Sequence, residues 1–140
     1  MTYIFQAKPE RYDLRTRLAV GKEVGWIASR YRDQMKTGDI VYYWSAGDRD
    51  IRGLYGWGTI NSESAFVDSR GTYRVLVSCK KIFPSHINYS VLIEDPILGD
   101  MQLLRSPMGT NFLLTRAESE ALYALIDDRF GPAWLPEEKG

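Results

Sequence analysis

The sequence holds one cysteine, Cys79, and one histidine, His86, in 140 residues. A lone cysteine excludes an internal disulfide, and a reducing, cytoplasmic setting is expected. One histidine with one cysteine also excludes a Cys/His metal cage, so neither a metal nor a cofactor is expected. Charge of one sign is not in surplus: 18 Lys plus Arg balance 18 Asp plus Glu. A protein that coats nucleic acid indiscriminately needs excess positive charge, so any such contact here must be local. Long apolar runs are missing as well. None approaches the ~20 residues of a membrane helix, and no membrane partner is expected. The opening MTYIFQAKPERYD lacks a basic cluster followed by an apolar stretch, so no secretory signal is expected in it.

What is present is ordinary for a folded domain, with 44% hydrophobic and 26% charged residues. Wholesale disorder is excluded, and residues 1–140 suit a single domain. The charge is unevenly placed. Arg70, Arg74, Lys80 and Lys81 stand together without an acid between them, whereas the segment from Ala117 onward is acidic. After Gly131-Pro132 the tail, 131–140, is expected to be loosely held.

Three segments read as strands. Thr2–Ala7 opens on Tyr3, Ile4 and Phe5 and is stopped by Pro9. Asp39–Ser45 is rich in β-branched and aromatic residues. Thr72–Phe83 alternates, with Tyr73, Val75, Val77 and Cys79 on one face. A fourth strand, Leu54–Ile60, carries Gly56 and Gly58 at one parity, which predicts another backbone or a bulky ring close on that side. Thr115-Arg-Ala-Glu118 is a capping box, followed by an apolar stripe at helical spacing to Phe130 and a Gly131-Pro132 stop. Shorter helices are expected over Asp13–Val20 and Ala28–Lys36. Several strands, few helices and no βαβ rhythm imply an α+β domain built on a curled sheet or small barrel.

The catalytic inventory is thin. His86 has no nucleophile and orienting acid at a telling spacing, and reads as a loop histidine. Glu94-Asp95 and Asp127-Asp128 are sequence neighbours that point to different faces. No phosphate-cradling glycine motif is present, since Gly56-Trp57-Gly58 lies inside a strand. An enzyme is therefore not expected. Aromatic residues are plentiful by contrast, with 4 Trp, 9 Tyr and 5 Phe. Most rings of this kind fill cores, but Trp26 sits in a polar segment without flanking apolar periodicity. An uncommitted indole can stack a base or hold a flipped one. In Arg105-Ser-Pro-Met-Gly-Thr-Asn111-Phe112, Thr110 and Asn111 can both donate and accept, which suits a nucleobase edge; they equally suit a helix-entry loop bonded to itself.

The stretch from Trp26 through Gly38-Asp39 to Trp44-Ser45 and Gly47 resembles an EVE domain. So do Arg52–Ile60, the opening Tyr3–Pro9 with Tyr12-Asp13-Leu14, and Gly109–Thr115 before the last helix. The resemblance spans about Tyr3 to Phe130. It implies a PUA-like fold, a small mixed β-barrel with flanking short helices, related to ASCH and YTH domains. It further implies a non-enzymatic reader that holds a modified nucleobase, such as methylated or hydroxymethylated cytosine or methylated adenine, in an aromatic pocket. By similarity, Trp26 leads into the pocket and Ser29 follows one turn on. Trp44, Ser45 and Trp57 lie on neighbouring strands, facing either pocket or core, and Met108, Gly109, Thr110 and Asn111 close the opposite wall. Arg30, Arg32, Arg74, Lys80 and Lys81 are the candidate phosphate contacts. The expected partner is modified DNA or RNA, with a separate nuclease or restriction-system protein as effector. The alternative is a module that binds RNA or a small, nucleoside-like molecule in the same pocket.

Overall fold

The computed structural model describes residues 1–136. Its chain order is β1 (Thr2–Ala7), α1 (Leu14–Arg17), β2 (Glu23–Ile27), β3 (Ile40–Ser45), β4 (Gly53–Ile60), β5 (Phe66–Val67), β6 (Tyr73–Asn88), α2 (Tyr89–Glu94), α3 (Gln102–Arg105), β7 (Asn111–Leu113) and α4 (Arg116–Phe130). Short 3₁₀ turns cover Arg32–Gln34, Leu98–Asp100 and Pro132–Trp134. The strands form one curled sheet in the order β2-β6-β4-β3-β1-β7, with β5 appended to β6. This is the α+β, PUA-like architecture. No described helix is long and apolar enough to cross a membrane.

The central strands are apolar at both parities because both faces of the sheet are buried. On β1, Tyr3, Phe5 and Ala7 face the inside of the curl, and Ile4 faces outward. On β3, Val41 and Tyr43 point in while Tyr42 and Trp44 point out. The inner core gathers Leu14, Trp26, Val75, Val77 and Cys79. The outer core lies under the helices and gathers Leu54, Trp57, Phe83, Leu122 and Ile126. The capping box forms as its sequence dictates. Glu118 N–H donates to Thr115 Oγ1 at 3.1 Å, and Thr115 N–H donates to Glu118 Oε1 at 2.8 Å.

The curl requires β4 to run close to its neighbours. At Gly58 a Cβ would collide with the Ser78 carbonyl and sit 2.6 Å from the Tyr43 hydroxyl, which is the backbone and ring expected at that parity. Register shifts between Leu54 and Gly56, and between Trp57 and Gly58, mark bulges that bend the strand.

Several expectations are corrected. The helix expected over Ala28–Lys36 is a single 3₁₀ turn, preceded by Tyr31 at φ 61°, a left-handed residue that breaks any longer helix. The expected strand Thr72–Phe83 runs on to Asn88, and Pro84 is tolerated because it lies within the β4–β6 irregularity, where no ladder bond is needed. His86 is therefore a strand residue, stacked on Tyr55 with ring centroids 4.9 Å apart. The segment 131–136 is not loosely held, since Trp57 Nε1 donates to the Trp134 carbonyl at 2.9 Å and Trp134 and Leu135 pack on the outer core. The remainder of that tail, 137–140, lies outside the described residues.

Gly58→Ala is expected to destabilise the domain by ~1–3 kcal/mol, because the added methyl meets the Ser78 backbone and the hydroxyl of the buried Tyr43. Urea unfolding would read this as a lower midpoint at unchanged slope; an unaltered midpoint would contradict the close approach.

Candidate functional site

The sheet does not close on itself. Its two ends, β2 and β7, face each other across a seam. The residues of β2 that bond β6 are the even ones, as Ala28 N–H to the Tyr73 carbonyl at 2.9 Å shows. Antiparallel alternation therefore turns the backbone groups of Gly25 and Ile27 toward the seam. Buried backbone groups need partners, and side chains supply them for the carbonyls of Gly25 and Ile27 and for Ser29 N–H. Asn111, only 1% exposed, spans the gap. Its Nδ2 donates to the Ile27 carbonyl at 2.9 Å, and its Oδ1 accepts from Ser29 N–H at 2.9 Å. Arg74 Nη1 donates to the Gly25 carbonyl at 2.9 Å.

Beside that clamp the seam widens into a cavity of about 550 Å³. Trp26 and Tyr12 line it at 5.4 Å centroid separation, nearly edge to face. Gly25 leaves one wall as bare backbone. The far wall is Gln6, Ala7, Gly109 and Thr110. Gln6 Nε2 donates to the carbonyls of Pro107 at 2.9 Å and Gly109 at 2.8 Å, and Gln6 N–H donates to the Thr110 carbonyl at 2.7 Å. The loop is thus pinned to β1 at three points. Because Nε2 points to the loop, the amide orientation is fixed and Oε1 is its remaining acceptor.

The lining is basic: Lys8, Arg11, Arg70 and Arg74 border the cavity, and no acid lines it. Arg74 is neutralised by Asp68, with Nε to Oδ2 at 2.7 Å. That bond, with the N–H groups of Thr72 and Arg70, holds the Asp68 carboxyl down at about 2. Lys8, Arg11 and Arg70 form no ion pair among the described residues. Burial pushes the Tyr12 phenol up, so it remains a neutral ring and hydroxyl at neutral pH.

The expected site residues separate into groups. Trp26, Gly109, Thr110 and Arg74 line the cavity. Trp26 is not uncommitted, however: it is 7% exposed and packs against Phe5, Tyr12 and Tyr43, so it belongs to the inner core and forms the cavity floor. Trp44, 1% exposed, and Trp57 belong to the outer core, on the opposite face of the sheet, and do not line the cavity. Ser45 is fully buried and its hydroxyl donates to the Ala46 carbonyl. Asn111 and Ser29 are engaged with each other in the clamp. Met108 is exposed and does not line the cavity, although the next residue, Gly109, does. Among the cations, Arg32 lies over the Tyr73 ring at 4.0 Å and Lys81 over Trp134 at 5.4 Å, the latter on the helix side. Lys80 and Arg30 are exposed but do not border the cavity. Gln6, Lys8, Arg11, Tyr12 and Arg70 were not anticipated. The one signal for Gln6 was a lone polar residue within an otherwise apolar strand.

The reactive side chains are elsewhere. Cys79 is buried in the inner core, which pushes its thiol up and away from the thiolate form. Among the described residues no His, Cys, Asp and Glu gather into a group that could hold a metal.

No family model matches the chain, and no curated protein matches it. Solved structures do. A protein of Agrobacterium tumefaciens is similar with a TM-score of 0.76 at 17% identity, covering 99% of both chains. A Leishmania major protein matches at 0.71 and 14% identity, over 91% of this chain and 95% of its own. Human THYN1 protein, solved in complex with DNA containing 5-methylcytosine, matches at 0.66 and 16% identity, over 89% of this chain and 96% of its own. These likenesses show a shared fold, and they fit the EVE-domain resemblance.

Asn111→Ala is expected to cost ~1–3 kcal/mol, because it leaves the Ile27 carbonyl and Ser29 amide without partners. Hydrogen exchange at the Ser29 amide should accelerate relative to the β3 amides; unchanged protection would show that the carboxamide does not hold the seam.

Proposed function

We propose that this chain is an EVE-domain reader, which takes a modified base of DNA into the seam cavity and carries out no reaction on it. The observation that carries the reading is the cavity itself. It joins an aromatic floor, a bare backbone wall, a pinned polar wall and a basic rim in one place. Its volume falls in the range of ligand pockets, ~300–1,000 Å³. Stacking on the half-buried Tyr12, above the Trp26 floor, would contribute ~1–3 kcal/mol for one base, whatever its identity.

Discrimination then rests on the rim of the base. Gln6 and Thr110 both line the cavity: the carboxamide keeps Oε1 as an acceptor, and the hydroxyl both donates and accepts. Together they suit the exocyclic amino group and ring nitrogen of cytosine or adenine. A methyl group set against the apolar floor gains ~0.8 kcal/mol, a factor of about four in affinity. Lys8, Arg11 and Arg70 take the place of the earlier candidates as phosphate contacts and fix position without reading sequence. Support for a reader over an enzyme comes from the disposition of the reactive groups: the thiol is buried and His86 is stacked flat on Tyr55. The consequence of binding passes to a separate effector, such as a nuclease, or rests on occupancy alone. The human THYN1 complex makes 5-methylcytosine the first modification to try.

Tryptophan fluorescence titrations with oligonucleotides carrying 5-methylcytosine, with their unmodified counterparts and with the free nucleosides would test the reading. The modified oligonucleotide should bind about fourfold or more tighter than the unmodified one. The log–log salt slope should be shallow, about −3 for three phosphate contacts. Equal affinity for free nucleoside and oligonucleotide would favour the small-molecule alternative, and indifference to the methyl group would overturn the reading.

A further inference from the structure

We propose that Met108 is a wedge that enters a DNA duplex and fills the space left when the modified base turns out into the cavity. The inference rests on the reading of the cavity as a base site and adds to it the form of the substrate, which is double-stranded. Met108 is 80% exposed, the most exposed of the large apolar side chains. Exposure alone would be unremarkable on a loose loop. This loop is not loose. The carbonyls on either side of Met108, those of Pro107 and Gly109, both accept from Gln6 Nε2, and Gly109 holds φ 110°, a conformation that side-chain-bearing residues rarely adopt. The next carbonyl, of Thr110, accepts from Gln6 N–H.

An apolar side chain is thereby held in solvent on a backbone pinned by a buried residue that also lines the cavity. Gly109 and Thr110, the residues after Met108, line that cavity. The wedge and the pocket are consequently one rigid unit, with Met108 directly next to the lining residue Gly109. A base turned out of a duplex leaves a gap in the stack, at a cost of a few kcal/mol. Proteins that distort DNA insert Met, Leu, Ile, Phe or Pro at such steps, and Pro107-Met108 presents two of these types together. The basic rim at Lys8, Arg11 and Arg70 would hold the backbone on either side.

The test compares wild type, Met108→Ala and Met108→Leu on one 5-methylcytosine sequence, offered as a duplex and as a single strand. A single strand has no gap to fill. Met108→Ala should therefore weaken duplex binding about tenfold, equivalent to ~1.4 kcal/mol, and change single-strand binding by less than about twofold. Met108→Leu should retain wild-type duplex affinity. The side chain is exposed, so folding is not at stake. If Met108→Ala leaves duplex affinity intact while wild type still prefers the modified base, the wedge fails and the reader stands. Equal weakening on both forms would also overturn the wedge. If wild type shows no preference for the modified base in either form, the cavity reading falls and the wedge with it.

Discussion

The structure depends on a sheet that curls but does not close. A closed barrel would satisfy every backbone group with another strand, whereas here β2 and β7 leave a row of donors and acceptors facing a gap. Buried or half-buried groups of that kind cannot be left unpaired without losing ~1–3 kcal/mol each. Asn111 from β7 bonds the Ile27 carbonyl and Ser29 N–H, Arg74 from β6 bonds the Gly25 carbonyl, and Gln6 from β1 pins the loop that leads into β7. The same requirement makes a cavity, because side-chain bridges hold the two edges farther apart than direct strand pairing would. The groups that close the sheet and the residues that line the cavity therefore share one place in the molecule.

The two cores divide the labour. The outer one, beneath α4, α2 and α3, is apolar throughout and anchors the sheet from behind. The inner one ends in Trp26, whose buried flanks are held by Phe5 and Tyr43 and whose remaining surface belongs to the cavity. An indole so placed keeps its position without reorganisation when a ligand arrives, which lowers the cost of binding. Net charge of zero is reconciled with a basic rim in the same way. Asp68 neutralises the one cation needed for the seam, and the acids that balance Lys8, Arg11 and Arg70 lie outside the cavity. Local potential, not the total, decides which surface meets an anionic polymer.

The sequence was most legible where local and tertiary preferences agree. The strand at Thr2–Ala7, the glycine parity of β4 and the Thr115–Glu118 capping box all form as their residues require. Legibility failed at the seam. Glu23–Ile27 is a short strand with a glycine at its centre and one unpaired edge, so it lacks the alternation that marks a strand in sequence. Asn111–Leu113 is shorter still, at 3 residues. Asn111 was singled out for its capacity to donate and accept, which is correct, but a carboxamide that bonds a distant strand looks identical in sequence to one that awaits a ligand. Trp44 and Trp57 could not be assigned to a face, because β3 and β4 are apolar at both parities. Lys8 and Arg11 come from one turn and Arg70 from another, and only the fold brings the two to one rim.

The central claim is that a modified base enters the seam between β2 and β7. Amide chemical-shift mapping with a 5-methylcytosine duplex addresses it most directly. The largest changes should fall on Gln6, Tyr12, Gly25, Trp26 and Gly109 to Thr110, with the amides of α4 and the outer core unmoved. Changes concentrated on α4 or on the outer face of β4, with the seam silent, would contradict it.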